Sequence, residues 1–166
     1  MDPLSILASS LTLIGATISA TEVVVNFISG IRNLDSELEA TLQDVTEFRC
    51  VLVELMETVR LEELFLQSMP ANTDLLGDSQ AIAGRIPAAS SEAQARITST
   101  KDKLGEIETS VRKITHSPFG GKLQLLERKK LNTLRAELRD LKLNLSAHFS
   151  VKSGYADGAY SSQQMY

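Results

Sequence analysis

Very few residues in this 166-residue chain have the type and spacing that chemistry requires. His116 and His148 stand 32 positions apart, and neither has a Cys, Asp or Glu at metal-ligand spacing. Cys50 has Arg49 as its basic neighbour and reads as a small core residue. Gly120-Gly121-Lys122 has neither the leading strand nor the spacing of a phosphate loop. Asn144-Leu145-Ser146 spells a glycosylation sequon inside a helical pattern, where it is discounted. No catalytic, cofactor or metal constellation is present, and the reading is of a protein that is not an enzyme. Glu22 is the one residue singled out, because it is the only charge in an apolar stretch running from Pro3 to Ile31. An ionisable group in such a helix is expensive in lipid unless it faces water or a partner. It is either a pore-lining or oligomer-contact carboxylate, or a surface group near Arg32 or a lysine of the last helix.

The element that carries Glu22 is the most unusual in the chain. Residues 3–21, PLSILASSLTLIGATISAT, contain no charge. A helix apolar on every side belongs in a core or in lipid. Asp2 caps it and Pro3 suits its first turn. Leu4, Leu7, Leu11, Ile14, Ile18, Thr21, Val25 and Ile28 form its seam, and Ala8, Thr12, Ala16 and Ala20 form a second stripe that lets backbones approach closely. Gly15 and Gly30 mark places to bend or break. Its length suffices to span a bilayer, but its serines and threonines dilute it. Asp2 stands where a secretory signal would have a basic residue, so the chain is expected to be cytoplasmic. The single cysteine fits that compartment.

The rest reads as three amphipathic helices. The second covers 36–67, opened by a Ser36/Glu39 capping box, with Leu38, Val45, Leu52, Val59 and Leu66 repeating every seven residues. Residues 68–91 are loop chemistry, with a short helical turn conceivable near 79–86. The third helix starts after Ser91, with Gln94 completing a capping box, and carries Ile97, Leu104, Ile107, Val111 and Ile114. The fourth covers 122–150. Its leucines Leu131, Leu134, Leu138, Leu141 and Leu145 alternate steps of three and four, a bundle or oligomer seam. The fold class is all-α, an antiparallel four-helix-type bundle over 1–150, with the first helix its most buried member and 151–166 a flexible tail. Residues 34–66 carry nine acids and two bases, whereas 116–150 carry seven bases and three acids. The simplest consequence is that these two segments are neighbouring helices. The basic stretch lacks interleaved aromatics, and no nucleic acid is expected as partner.

The opening MDPLSILASSLTLIGATISATEVVVNFISGIRNLDSELEATLQDVTEFRCVLVEL resembles the HeLo-like N-terminal domain of fungal NACHT and STAND proteins. That family is also labelled after the N-terminal region of azaphilone pigment biosynthesis cluster protein L. LNTLRAELRDLKLNLSAHF at 131–149 resembles its closing helix. The resemblance implies a helical effector of regulated cell death that oligomerises on activation. A NACHT or STAND receptor, in cis or in trans, would bring copies together. The first helix (Leu4, Leu7, Leu11, Ile14, Ile18 and Glu22) would then target membrane lipids at the plasma membrane. The competing expectation is a soluble interaction module, a dimerisation or scaffold domain whose interface is the leucine seam of the last helix.

Overall fold

The computed structural model describes residues 3–68, 91–116 and 122–160. Among the described residues there are four helices and no strand: α1 Pro3–Ser29, α2 Ser36–Ser68, α3 Ser91–His116 and α4 Lys122–Tyr160. α1 packs against α2 and α3, and α4 packs against the same two. The helices therefore form a ring in the order α1, α2, α4, α3, and α2 lies diagonally across from α3.

Side-chain pairs set the directions. Lys103, Glu106 and Lys113 of α3 meet Glu137, Lys130 and Glu127 of α4 in reverse order, so these two run antiparallel. Asp35, Asp44 and Glu47 of α2 meet Arg128, Arg135 and Lys142 of α4 in the same order, so α2 and α4 run parallel. α1 and α3 also run parallel, with Gln94 beside Ser10 at one end and Arg112 beside Phe27 at the other. Helices consecutive in the chain alternate in direction. The two lateral contacts that close the ring are each between parallel helices.

Among the described residues the core is aliphatic around one buried aromatic, Phe48. The α3 seam is wholly buried, as are Leu38, Val45, Leu52 and Val59 of α2. Leu131, Leu134, Leu138 and Leu145 of α4 are buried and Leu141 is half-buried, so this seam is occupied within the chain. The side chain of Leu66, the short turn suggested near 79–86 and the Asp2 cap lie outside the described residues. α4 runs on to Tyr160, past the boundary placed at residue 150.

Helix starts differ in detail from the sequence expectation. Asp35, not Ser36, caps α2: its Oδ1 accepts the Leu38 amide at 3.0 Å, and its carbonyl accepts the Glu39 amide at 3.0 Å. A carboxylate at the positive end of a helix is the stronger cap. Gln94, expected to complete a capping box, donates to Ser10 Oγ on α1 at 3.0 Å. α1 runs unbroken through Gly15 and stops before Gly30, where the Gly30 amide still reaches the Asn26 carbonyl at 3.1 Å.

Candidate functional site

α1 is held differently from its neighbours. Its buried residues are Leu7, Ser10, Ile14, Thr17, Thr21, Val24 and Ile28, stepping three and four, with Ile18 beside them. This differs from the expected seam. Leu4 and Leu11 are only half-buried, Ser10 takes the place of Leu11, and Val24 takes that of Val25. The cause is chemical. A helix with no charged face has no polarity contrast to fix its rotation, so shape and hydrogen bonding decide. Small hydroxyl residues can turn inward because each satisfies itself on its own backbone. Ser10 Oγ donates to the Ile6 carbonyl at 3.0 Å, Thr17 Oγ1 to Leu13 at 2.9 Å and Thr21 Oγ1 to Ile18 at 2.6 Å.

Among the described residues α1 is the least exposed of the four helices, as its apolar sequence suggests. Leu4–Ser29 is long and apolar enough to cross a membrane, yet only 28% of its most apolar stretch is buried. Ile6, Leu11, Leu13, Val25 and Phe27 are left half-buried, and Val23 is 50% exposed. Ala8, Thr12 and Ala16 of the small-residue stripe face outward, and Ala20 packs half-buried against the core. Nothing lies within 4 Å of a Cβ built at Gly15.

Glu22 stands on the surface of α1 and accepts from Arg49 Nη2 of α2 at 2.7 Å. The expected partners were Arg32 or an α4 lysine. The acidic α2 instead offers one of its two arginines here. Both side chains are nearly half exposed, and such pairs contribute only about 0–1 kcal/mol. Because Glu22 is the only charge from Pro3 to Ser29, no other side chain of α1 can form an ion pair. At the far end of α1 the Phe27 ring lies under the Arg112 guanidinium at 4.3 Å and stacks on His116 with centroids 6.5 Å apart.

The α2–α4 contact is the opposite case. Here the acidic and basic segments meet, as their opposite charges suggest. Arg128 bridges Asp35 and Glu37, and Asn132 also donates to Glu37. Asp44 receives Arg135 Nε at 2.7 Å and Arg139 Nε at 2.8 Å, and Lys142 reaches Glu47. Asp44 and Arg135 are both buried. Hydrogen bonding to Arg128 holds the Asp35 carboxyl below its ordinary 3.8, against the opposing effect of burial. The Lys142 ammonium does the same for Glu47. The guanidinium of Arg128 is raised in turn by Asp35 and Glu37, and that of Arg139 by Asp44. On α3–α4, the Lys113 ammonium holds Glu127 below its usual range.

Three further observations bear on function. Cys50 is exposed, not a core residue, because it shares the outward face of α2 with Glu54 and Glu57. Leu61, Leu64 and Phe65 near the end of α2 are 67%, 61% and 53% exposed. They lie at the end of the bundle where α1 begins, and the seven-residue repeat in the sequence did not single them out. Among the described residues no group of three or more His, Cys, Asp or Glu is placed to hold a metal ion. No protein-family profile, curated protein or solved structure matches this chain.

Proposed function

We propose that this chain is a non-enzymatic effector domain whose α1 leaves the bundle, when copies are brought together, and enters a lipid bilayer. The observation that carries the reading is the mismatch between what α1 is and how it is held. It is a helix of spanning length with a single charge, docked by apolar packing, self-satisfied hydroxyls and one surface ion pair. The other three helices are tied together by ion pairs on both α4 interfaces.

Apolar burial leaves such an exchange close to neutral, so that clustering of copies can tip it. Leu7, Ile14, Ile18, Val24 and Ile28 are buried on α1, and excluding each from water is worth about 1.5–3 kcal/mol whether the new surroundings are protein or acyl chain. The inward hydroxyls take their acceptors with them, so Ser10, Thr17 and Thr21 leave no orphaned donor in lipid. Leaving the bundle forfeits the Gln94 and Arg49 contacts and the Phe27 stack, all of modest strength. The likeness of the opening residues to HeLo-like domains supports the same reading, including assembly of copies and a receptor of the NACHT or STAND type. The competing reading, a soluble module that pairs through the α4 leucines, has less support. Leu131, Leu134, Leu138 and Leu145 are buried within the closed chain.

The test is dye release from vesicles by the whole chain. Leu13 sits half-buried at the rim of the α1 contact. A Leu13→Asp chain is expected to stay folded by circular dichroism. A charged side chain at the centre of a membrane helix is disfavoured by about 3 kcal/mol on insertion scales, so its release should drop sharply. Ile6→Asp provides the same test one turn of helix and more away. Undiminished release by either folded variant contradicts the proposal.

A further inference from the structure

Five of the exposed large apolar side chains fall into two groups at opposite ends of the bundle. Leu61, Leu64 and Phe65 form one group near the end of α2. Leu125 and Leu126, 67% and 66% exposed, form the other near the start of α4. Arg128 meets Glu37, and from Glu37 to Leu61 α2 rises about 36 Å at 1.5 Å per residue. The two groups of one chain are therefore too far apart to touch. Single exposed leucines are ordinary, whereas clustered ones mark contact surfaces.

The charges around the two groups are opposite. Residues 54–65 carry Glu54, Glu57, Glu62 and Glu63 against Arg60, and residues 122–130 carry Lys122, Arg128, Lys129 and Lys130 against Glu127. Glu127, Arg128 and Lys130 are taken up in pairs within the chain. Glu54, Glu57 and Lys129 are exposed and make no ion pair among the described residues. Spacing matches as well as sign. Glu57 precedes Leu61 by four residues and Lys129 follows Leu125 by four, so each charge shares a helix face with its leucine. Laid antiparallel, the two helices set Leu61 on Leu125 and Glu57 on Lys129 at once. Laid parallel with the same leucines in contact, they would set Lys129 against Phe65 instead.

We infer that the end of α2 in one copy docks antiparallel on the start of α4 in a second copy, leucine on leucine and Glu57 on Lys129. The inference goes beyond the membrane reading above and uses no residue of α1. The contact joins unlike surfaces, so a pair keeps one patch of each kind open and further copies can add. It is also small, since a stable complex uses about 20–30 residues a side. Association is therefore weak and appears when copies are concentrated.

The experiment is sedimentation velocity of the whole chain from micromolar to near-millimolar concentration. The wild-type average mass should rise above the 18.1 kDa of one chain as concentration rises, and fall back as salt screens the charges. Leu61→Lys and Leu125→Asp replace exposed side chains, so both should keep their helicity by circular dichroism. Each should raise the concentration needed for association at least about tenfold, through lost apolar burial and like charge. An equimolar mixture of the two should associate again, because one intact patch of each kind remains. Glu57→Lys should weaken association by up to about fivefold, and Glu57→Lys with Lys129→Glu in one chain should recover it. A wild-type chain or a mixture that stays monomeric overturns the inference. So does a double charge variant no better than Glu57→Lys alone. Association lost in only one leucine variant also overturns it, because like would then meet like. A leucine variant that melts earlier with unchanged association overturns it too, because the patch would then be covered within its own chain. Vesicle release without self-association removes this inference and leaves the membrane reading; self-association without release does the reverse.

Discussion

The α2–α4 contact and the α1 docking site sit in the same small bundle and rest on opposite physics. α2 and α4 are joined by directional bonds: a buried carboxylate gripped by two arginines, flanked by further pairs at both ends. These bonds fix register, because a slip of one residue would leave Asp44 and Arg135 buried without partners. α1 is held by water exclusion, which is non-directional and which a bilayer can supply equally well. On the membrane reading proposed above, the bundle would act as a frame of three ion-paired helices with a fourth that is exchanged for lipid. A close-packed core alone would not need such a division.

Asp44→Ala strikes the frame hardest. Arg135 would remain buried with its main partner gone, and breaking a buried pair in this way costs about 3–5 kcal/mol. Urea denaturation followed by circular dichroism should report that loss. A loss below about 1 kcal/mol, as expected of a surface pair, would remove the contrast between the two regions. Ile14→Ala strikes the other side. Ile14 is fully buried, and the cavity should cost about 2–4 kcal/mol. The loss should appear in the release of α1, with the α2–α4 contact still protected.

Acid separates the regions without mutation. Asp35, Glu47 and Glu127 all lie below their ordinary values. A lowered carboxyl contributes stability that is fully present above the unfolded range, near pH 4–5. That contribution is lost as pH falls through the folded value. All three belong to α2–α4 or α3–α4 pairs. A melting temperature that holds from pH 7 to about 5 and then falls is the expected profile. A flat profile down to pH 3 would mean these pairs contribute nothing. The smallest effect is at Gly15. With open space around an added Cβ, Gly15→Ala should stabilise α1 by about 1 kcal/mol through helix propensity. Destabilisation would mean that α1 needs to bend there.

Most of the bundle was legible in the sequence because three helices carry strong polarity contrast. The α3 seam was read without error, and four of the five α4 leucines are buried. The charge imbalance between 34–66 and 116–150 identified α2 and α4 as neighbours. α1 was harder for a physical reason. With no charged face, its apolar residues satisfy more than one helical phase, and Leu11 and Val25 fit the periodicity as well as Ser10 and Val24 do. Packing chose the hydroxyl phase. The Asp35 cap was masked by a neighbouring S-x-x-E pattern, and its pairing with Arg128 is a long-range contact. Cys50 was misplaced by residue type, since free cysteines are more often buried. Leu61, Leu64 and Phe65 fall off the seven-residue repeat, and that was the available signal of their exposure.

Amide hydrogen exchange in native buffer, resolved by helix, tests the division between frame and exchangeable helix most directly. Amides of α1 around Ile14–Val24 should exchange through an opening of lower free energy than global unfolding, while those of α2 and α4 around Asp44 and Arg135 should exchange only with global unfolding. Equal free energies for α1 and the α2–α4 contact would contradict the account: the bundle would then be one cooperative unit, with no helix free to leave.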